Sequence, residues 1–218
     1  TITSQVSANT EAGFSIVTYT GDGANGTVGH GLGVTPNIVL TKRRNSTSNW
    51  SFNGNIGGLI YGTNKLSLND TAAIGADTNE VLAANSNNFT AGTSGSVGAS
   101  GGTYVAYCFA EVAGFSKFGS YTGTETTNNP TIDCGFEPAF VMIKCKSEAM
   151  NWAIFDNKRD TINPNEAILY PNLNLAETNS SSTGINFLSN GFQINSNLGG
   201  WINTSGANFI YMAFANQF

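Results

Sequence analysis

The sequence predicts an all-β protein built from two tandem, linkerless antiparallel β-sandwich repeats of jelly-roll-like type, and three observations carry that prediction. The first is an internal offset: Pro36 answers Pro138, Lys42 answers Lys144, Trp50 answers Trp152 and Leu66 answers Ile168, each 102 residues apart. An offset that holds across four landmarks marks a duplication, and repeats must be recognised before any other feature is read. The second is alternation of side chains with period two in short runs bounded by Gly, Pro, Asn and Asp, the pattern of strands and turns. The third is that no stretch of ten or more residues carries a convincing apolar stripe at helical spacing.

Taken in order, residues 1–12 (TITSQVSANTEA) carry no strong pattern and read as a connector. The first repeat, residues 13–112, opens with the β-branched and aromatic run FSIVTYT and stops at the turn Gly21-Asp22-Gly23. A glycine-dense loop leads to Pro36, which cannot donate to a ladder and so belongs at the start of the next strand, residues 37–43. In that strand Ile38, Leu40 and Lys42 share one face and Val39, Thr41 and Arg43 the other. Both faces stay apolar until the last residues, as do those of its counterpart around Phe140 to Cys145, so each is expected to be an interior strand. The polar turn at residues 45–49 reverses the chain into WSF, as residues 147–151 reverse it into WAIF. Short strands follow near Leu66 and Phe89, with counterparts near Ile168 and Phe192.

The segment at residues 69–84 is the best candidate for a short helix, although Gly75 interrupts it. The closing strand TYVAYCF places Val105, Tyr107 and Phe109 on a bulky face and Ala106, Cys108 and Ala110 on a small one. The bulky face is expected to be core, and Ile210, Met212 and Phe214 repeat it in NFIYMAFA, while the small face implies close approach of a neighbouring sheet or loop. The second repeat, residues 113–218, starts at once, because Glu111-Val112-Ala113-Gly114 is too short and too apolar to act as a flexible linker. The repeats are expected to pack rigidly, either as two abutting sandwiches or merged into one sandwich of pseudo-two-fold symmetry.

Composition narrows the function. Only 11% of the 218 residues are charged and the formal net charge is -5, so the chain lacks the basic surface that phosphate backbones require. The dense basic run Lys42-Arg43-Arg44 is expected to be a solvated strand end. No apolar run approaches the roughly 20 residues of a membrane-spanning helix, and no membrane insertion is expected. The start at Thr1, without Met, suggests a fragment or a processed product.

Chemistry-bearing residues are sparse. The single His, His30, lies in a glycine-rich loop with no nucleophile-elbow pattern beside it and is expected to be an ordinary loop residue. Cys108, Cys134 and Cys145 have no counterparts across the repeats and no CxxC spacing, so they read as free thiols. Glycoside hydrolysis needs two carboxylates flanking a sugar, yet no Asp or Glu occupies the same position in both repeats; the best single-repeat cluster is Asp156, Asp160 and Glu166. These features predict a protein that is not an enzyme and takes no cofactor or metal. What the repeats do share is the pair Asn49-Trp50 and Asn151-Trp152. An indole beside an amide can form a sugar-stacking platform, the ring meeting the C–H face and the amide the hydroxyls. A Trp directly after a hairpin turn is more often core, so burial is the expectation for both rings, and Asn49, Trp50, Asn151 and Trp152 stand as the candidate binding residues.

The phrases GFSIVTYTG, GHGLG, and YVAYCFAEV followed by GFSKFGSYTG resemble a repeated domain of unknown function in large structural and tail-fibre-like proteins of tailed bacteriophages, notably marine and cyanobacterial ones. The similarity covers nearly the whole chain, departing where DCGFEP replaces GHGLGVTP in the second repeat. It implies a non-enzymatic virion protein on the exposed particle surface, a tail-fibre or appendage module that displays loops for host attachment. Other virion proteins and a host-surface glycan are the implied partners, and a homotrimer the implied assembly. Capsid decoration or a head fibre is the alternative, with a polysaccharide depolymerase behind it. The resemblance carries no catalytic residues.

Overall fold

The computed structural model describes residues 1–125, 129–195 and 201–217. It is all-β, its strands pair antiparallel, and it divides into two compact units, one of Thr1–Asp70 with Ile74–Val112, the other of Thr71–Ala73 with Ala113–Phe218.

The first unit contains β1 (Ser4–Asn9), β2 (Phe14–Thr20), β3 (Gly26–Gly29), β4 (Ile38–Arg43), β5 (Ser51–Gly54), β6 (Asn64–Ser67), β7 (Gly75–Ala76), β8 (Val81–Ala84), β9 (Asn88–Ala91) and β10 (Thr103–Phe109). One sheet runs β1-β2-β10-β4-β5-β6-β7 and a second β3-β9-β8. Their inner faces enclose one core, in which Val17, Val39, Ala106 and Cys108 from the larger sheet meet Val28, Val81 and Phe89 from the smaller. This is the layering of a β-sandwich. As expected, β4 is interior, flanked by β10 and β5.

Three sequence expectations fail in this unit. Residues 1–12 are not a bare connector, because β1 pairs with β2 in unbroken register from Ser4↔Tyr19 to Asn9↔Phe14. The turn joining them is set by Gly13, at a φ of 64°, whose carbonyl accepts the Ala110 N–H at 2.8 Å. A Cβ there would lie 2.3 Å from the Ala110 carbonyl oxygen. Residues 69–84 form no helix: they hold β7 and β8, and Gly75 itself pairs with Lys65. Finally, the small face of β10 is the core face. Ala106 and Cys108 are fully buried while Val105, Tyr107 and Phe109 are half-buried on the other side. Tyr19 and Tyr104, stacked at 5.1 Å, fill the same inner face, and Phe89 from the opposite sheet sits 5.8 Å from the Tyr19 ring. Small residues in the middle of β10 leave room for that aromatic group.

The second unit contains β11 (Ser116–Thr122), β12 (Thr131–Asp133), β13 (Pro138–Cys145), β14 (Trp152–Asp156), β15 (Ala167–Ile168), β16 (Thr178–Asn179), β17 (Gly184–Leu188), β18 (Gly191–Asn195) and β19 (Asn208–Ala215), with a 3-10 turn at Trp201–Asn203. Its sheets run β11-β19-β13-β14, β12-β18-β17 and β15-β16. Their core gathers Val141, Ile143 and Phe155 with Ile185, Phe192 and Ile194, and β13 is interior between β19 and β14. On β19 the residues facing this core are Phe209, Tyr211 and Ala213, so the alternation again points inward on the face opposite to the expected one, although Ile210 and Met212 are buried as well.

Candidate functional site

Both Asn–Trp pairs sit where a hairpin turn delivers the chain into a strand, β5 in one unit and β14 in the other, and a third asparagine clamps each. The Trp50 N–H donates to Asn69 Oδ1 at 2.7 Å, and Asn69 Nδ2 donates to Asn49 Oδ1 at 3.0 Å. In the second unit the Trp152 N–H donates to Asn172 Oδ1 at 3.0 Å, and Asn172 Nδ2 to Asn151 Oδ1 at 2.8 Å. The amides therefore hold the turn rather than stand free for a ligand. Sequence reasoning missed Asn69 and Asn172 because they fall one residue off the 102-residue offset. The signal that could have found them is an Asn 19 residues after one Trp and 20 after the other.

The two indoles part company. Trp152 is 1% exposed and offers no ring face to a ligand. Trp50, expected to be core, is only half-buried, and it stacks on Tyr107 at 6.2 Å and 25°. Tyr107 in turn stacks on Phe14 at 6.3 Å and 11°, forming an aromatic row on the outer face of the larger sheet. Of the four candidates, Trp50 alone combines a partly exposed ring with a position on a surface.

The basic run is engaged at the β4–β5 turn: Lys42 Nζ donates to the Ser48 carbonyl and Arg43 Nε to Asn45 Oδ1 at 3.0 Å. Arg44 is exposed and joins Ser4, Gln5, Thr18, Asp22 and Thr103 in lining a polar cleft of about 600 Å³ in the first unit.

His30 lies in a loop, as expected, but is fully buried there. Its Nε2 lies 2.9 Å from the Asn85 carbonyl, and its Nδ1 accepts the Leu32 N–H at 3.2 Å. A carbonyl can only accept and an N–H can only donate, so the ring is neutral with its proton on Nε2. Burial lowers its pKa from the ordinary value, and the Asn85 bond opposes this only in part. The sign follows: below about pH 6.5 the unfolded chain takes up a proton that the folded chain resists. This contribution to stability is present above that pH and is lost as pH falls toward the depressed folded value. Thermal unfolding is expected to weaken from pH 7.5 to 5.5, and less so in His30→Gln; since His30 is the sole His, equal slopes in both proteins would refute the assignment.

In the acidic cluster the two aspartates are likewise spent on holding a loop. Asp156 Oδ1 accepts the Lys158 and Arg159 N–H groups at 3.1 and 2.8 Å, and its Oδ2 meets the Arg159 guanidinium, which also pairs with Glu177. Partial burial pushes the Asp156 carboxyl up, but Arg159 and the two N–H groups outweigh it and hold it below the ordinary range. A carboxyl so held stays ionised at neutral pH and is a poor proton donor. Asp160 Oδ2 accepts the Glu166 N–H at 2.8 Å, and the buried Asn165 donates to the Asp156 and Asp160 carbonyls at 3.0 and 2.6 Å.

All three cysteines are buried and unbridged, and burial pushes the Cys108 thiol up to about 12. Among the described residues no group of three or more His, Cys, Asp or Glu side chains is placed to hold a metal ion. A family model described as "Domain of unknown function (DUF7483)" matches residues 1–217. No curated protein and no solved structure matches the chain.

Proposed function

Because the chain belongs to the DUF7483 family, whose description names no activity, we propose its function from the site geometry and the sequence resemblance: a non-enzymatic structural module of a tailed-phage virion, part of a tail fibre or related appendage, presenting loops for attachment to the host surface. The observation that carries the non-enzymatic part is that His30, Asp156 and Asp160 are consumed internally. His30 bridges Leu32 and Asn85, Asp156 and Asp160 staple their own loop, and the Asn–Trp amides close turns. The virion part rests on the resemblance in GFSIVTYTG and YVAYCFAEV.

In this reading the two units are copies of one ancestral repeat. Their common strand order supports it, β2-β10-β4-β5 against β11-β19-β13-β14 and β3-β9-β8 against β12-β18-β17, as does the shared asparagine clamp. The partners are neighbouring virion proteins and a glycan on the host surface, with Trp50 as the candidate contact. The protein assembles as a homo-oligomer on the exposed surface of the particle.

Electron microscopy of intact particles labelled with an antibody against this chain is expected to place it on the tail appendage. Label confined to the capsid would replace the proposal with a decoration role. Purified chain should bind host cells and release no reducing ends from host polysaccharide, and sustained release would overturn the non-enzymatic reading.

A further inference from the structure

We infer that β1 is a docking edge for a second copy of this chain, joined antiparallel across a two-fold axis. β1 is the terminal strand of its sheet, and all six of its residues are paired to β2 on one side only. The Ile2 N–H donates to the Thr27 carbonyl and Ser4 Oγ to the Gly29 carbonyl, tying the start of this segment to β3. Beyond Ser4, among the described residues, no backbone hydrogen bond leaves the outer edge, and Gln5 through Asn9 are all exposed.

Exposed edges are ordinarily blunted by charge, proline, a bulge or short length. The opposite end of the same sheet follows that rule, since β7 has only two residues. β1 has none of these protections: its sequence SQVSAN contains no charge and no Pro, and its register with β2 is unbroken.

The strand's neutrality favours a second copy as occupant. A charged side chain near a two-fold axis meets its own like charge in the second copy, and β1 carries none. An antiparallel pair about a two-fold axis is self-complementary and closes at two copies rather than the three that the resemblance implies. Val6 pairs with the buried Val17, so it lies on the core-facing side of the sheet, yet it is 42% exposed. Side chains of paired residues share a face, so the joint sheet brings the Val6 side chains of both copies to one side. Six paired residues form a small interface, which makes the dimer concentration-dependent.

The test is independent of where the protein sits on a particle. Sedimentation of the full chain is expected to give twice 22.8 kDa at high concentration and 22.8 kDa on dilution. Val6→Lys places like charges beside each other and should raise the dissociation constant at least about tenfold. Should that variant fold poorly, cysteine pairing decides alone. The native thiols are all buried; with Val6 opposite Val6 across the two-fold axis, Gln5 of one copy stands opposite Ser7 of the other, so the double variant Gln5→Cys/Ser7→Cys sets exposed thiols about 5 Å apart. It should oxidise rapidly to a linked dimer, while Asn174→Cys, exposed in the other unit, should not. A monomer at every concentration, a trimer, or a dimer indifferent to Val6→Lys with no β1 cross-link would each overturn the inference.

Discussion

Trp152→Ala is expected to lower the unfolding free energy by about 3 to 5 kcal/mol, because the transfer energy of a buried indole and the cost of an unfilled cavity add. Trp152 is 1% exposed and faces Lys144 in the β13–β14 register. Lys144 is itself fully buried, donating to the Cys145 carbonyl at 2.7 Å and the Thr71 carbonyl at 3.1 Å. Removing the indole leaves a void beside its cross-strand neighbour Lys144, whose bonds to two carbonyls hold it in place. A loss of this size is a large share of a domain's net stability. Trp50→Ala should cost much less, about 1 kcal/mol, since its ring is partly exposed on the outer face of the sheet, where it stacks on Tyr107. Chemical denaturation of the two variants checks the contrast; equal losses would mean that the sequence expectation of two core tryptophans was right after all.

Lys65→Met should destabilise the chain by about 2 to 3 kcal/mol at neutral pH, through the charge it strands rather than the contact it removes. Lys65 Nζ lies 2.7 Å from Asp77 Oδ2 and 2.6 Å from Glu80 Oε1, and the Glu80 side chain is only 3% exposed. Burial pulls the Lys65 pKa down, but its bonds to the two carboxylates outweigh this and raise it. Lys65 keeps a third of its side chain in water, so the loss is set below the full cost of breaking a deeply buried pair. In the variant, protonating the stranded carboxylate removes the buried charge. The deficit relative to wild type should therefore shrink as pH is lowered from 7 toward 4, and a deficit independent of pH would point to lost packing instead.

The strands legible in the sequence were those whose side chains must be apolar to be buried. β4, β13, β10 and β19 announced themselves through runs bounded by Pro, Gly and Asn, and the structure places them as expected to within a residue or two. β1 was not legible, because an edge strand held by backbone bonds needs no apolar pattern and SQVSAN has almost none. β3 was hidden in a glycine-dense loop where Gly26 makes room for Ile2; a Cβ there would lie 2.7 Å from the Ile2 side chain. Of the candidate site, the sequence located the repeated Asn–Trp pairs. It did not reveal the asparagine that clamps each, since the clamp joins positions 19 or 20 residues apart with a one-residue slip between units.

The sequence by itself determined the fold class, through period-two alternation, regularly spaced turn residues and the absence of a helical stripe. Only the tertiary structure decided which face of β10 is core, because alternation defines two faces without saying which one another sheet will cover. Side-chain size correctly marked the small face as the one a neighbouring sheet approaches, with Phe89 fitting against Ala106 and Cys108, but wrongly assigned the core to the bulky face. The same limit separates Trp50 from Trp152. Equivalent positions in two similar stretches receive the same local structure, but burial depends on what packs over them, and that is not written in either stretch alone.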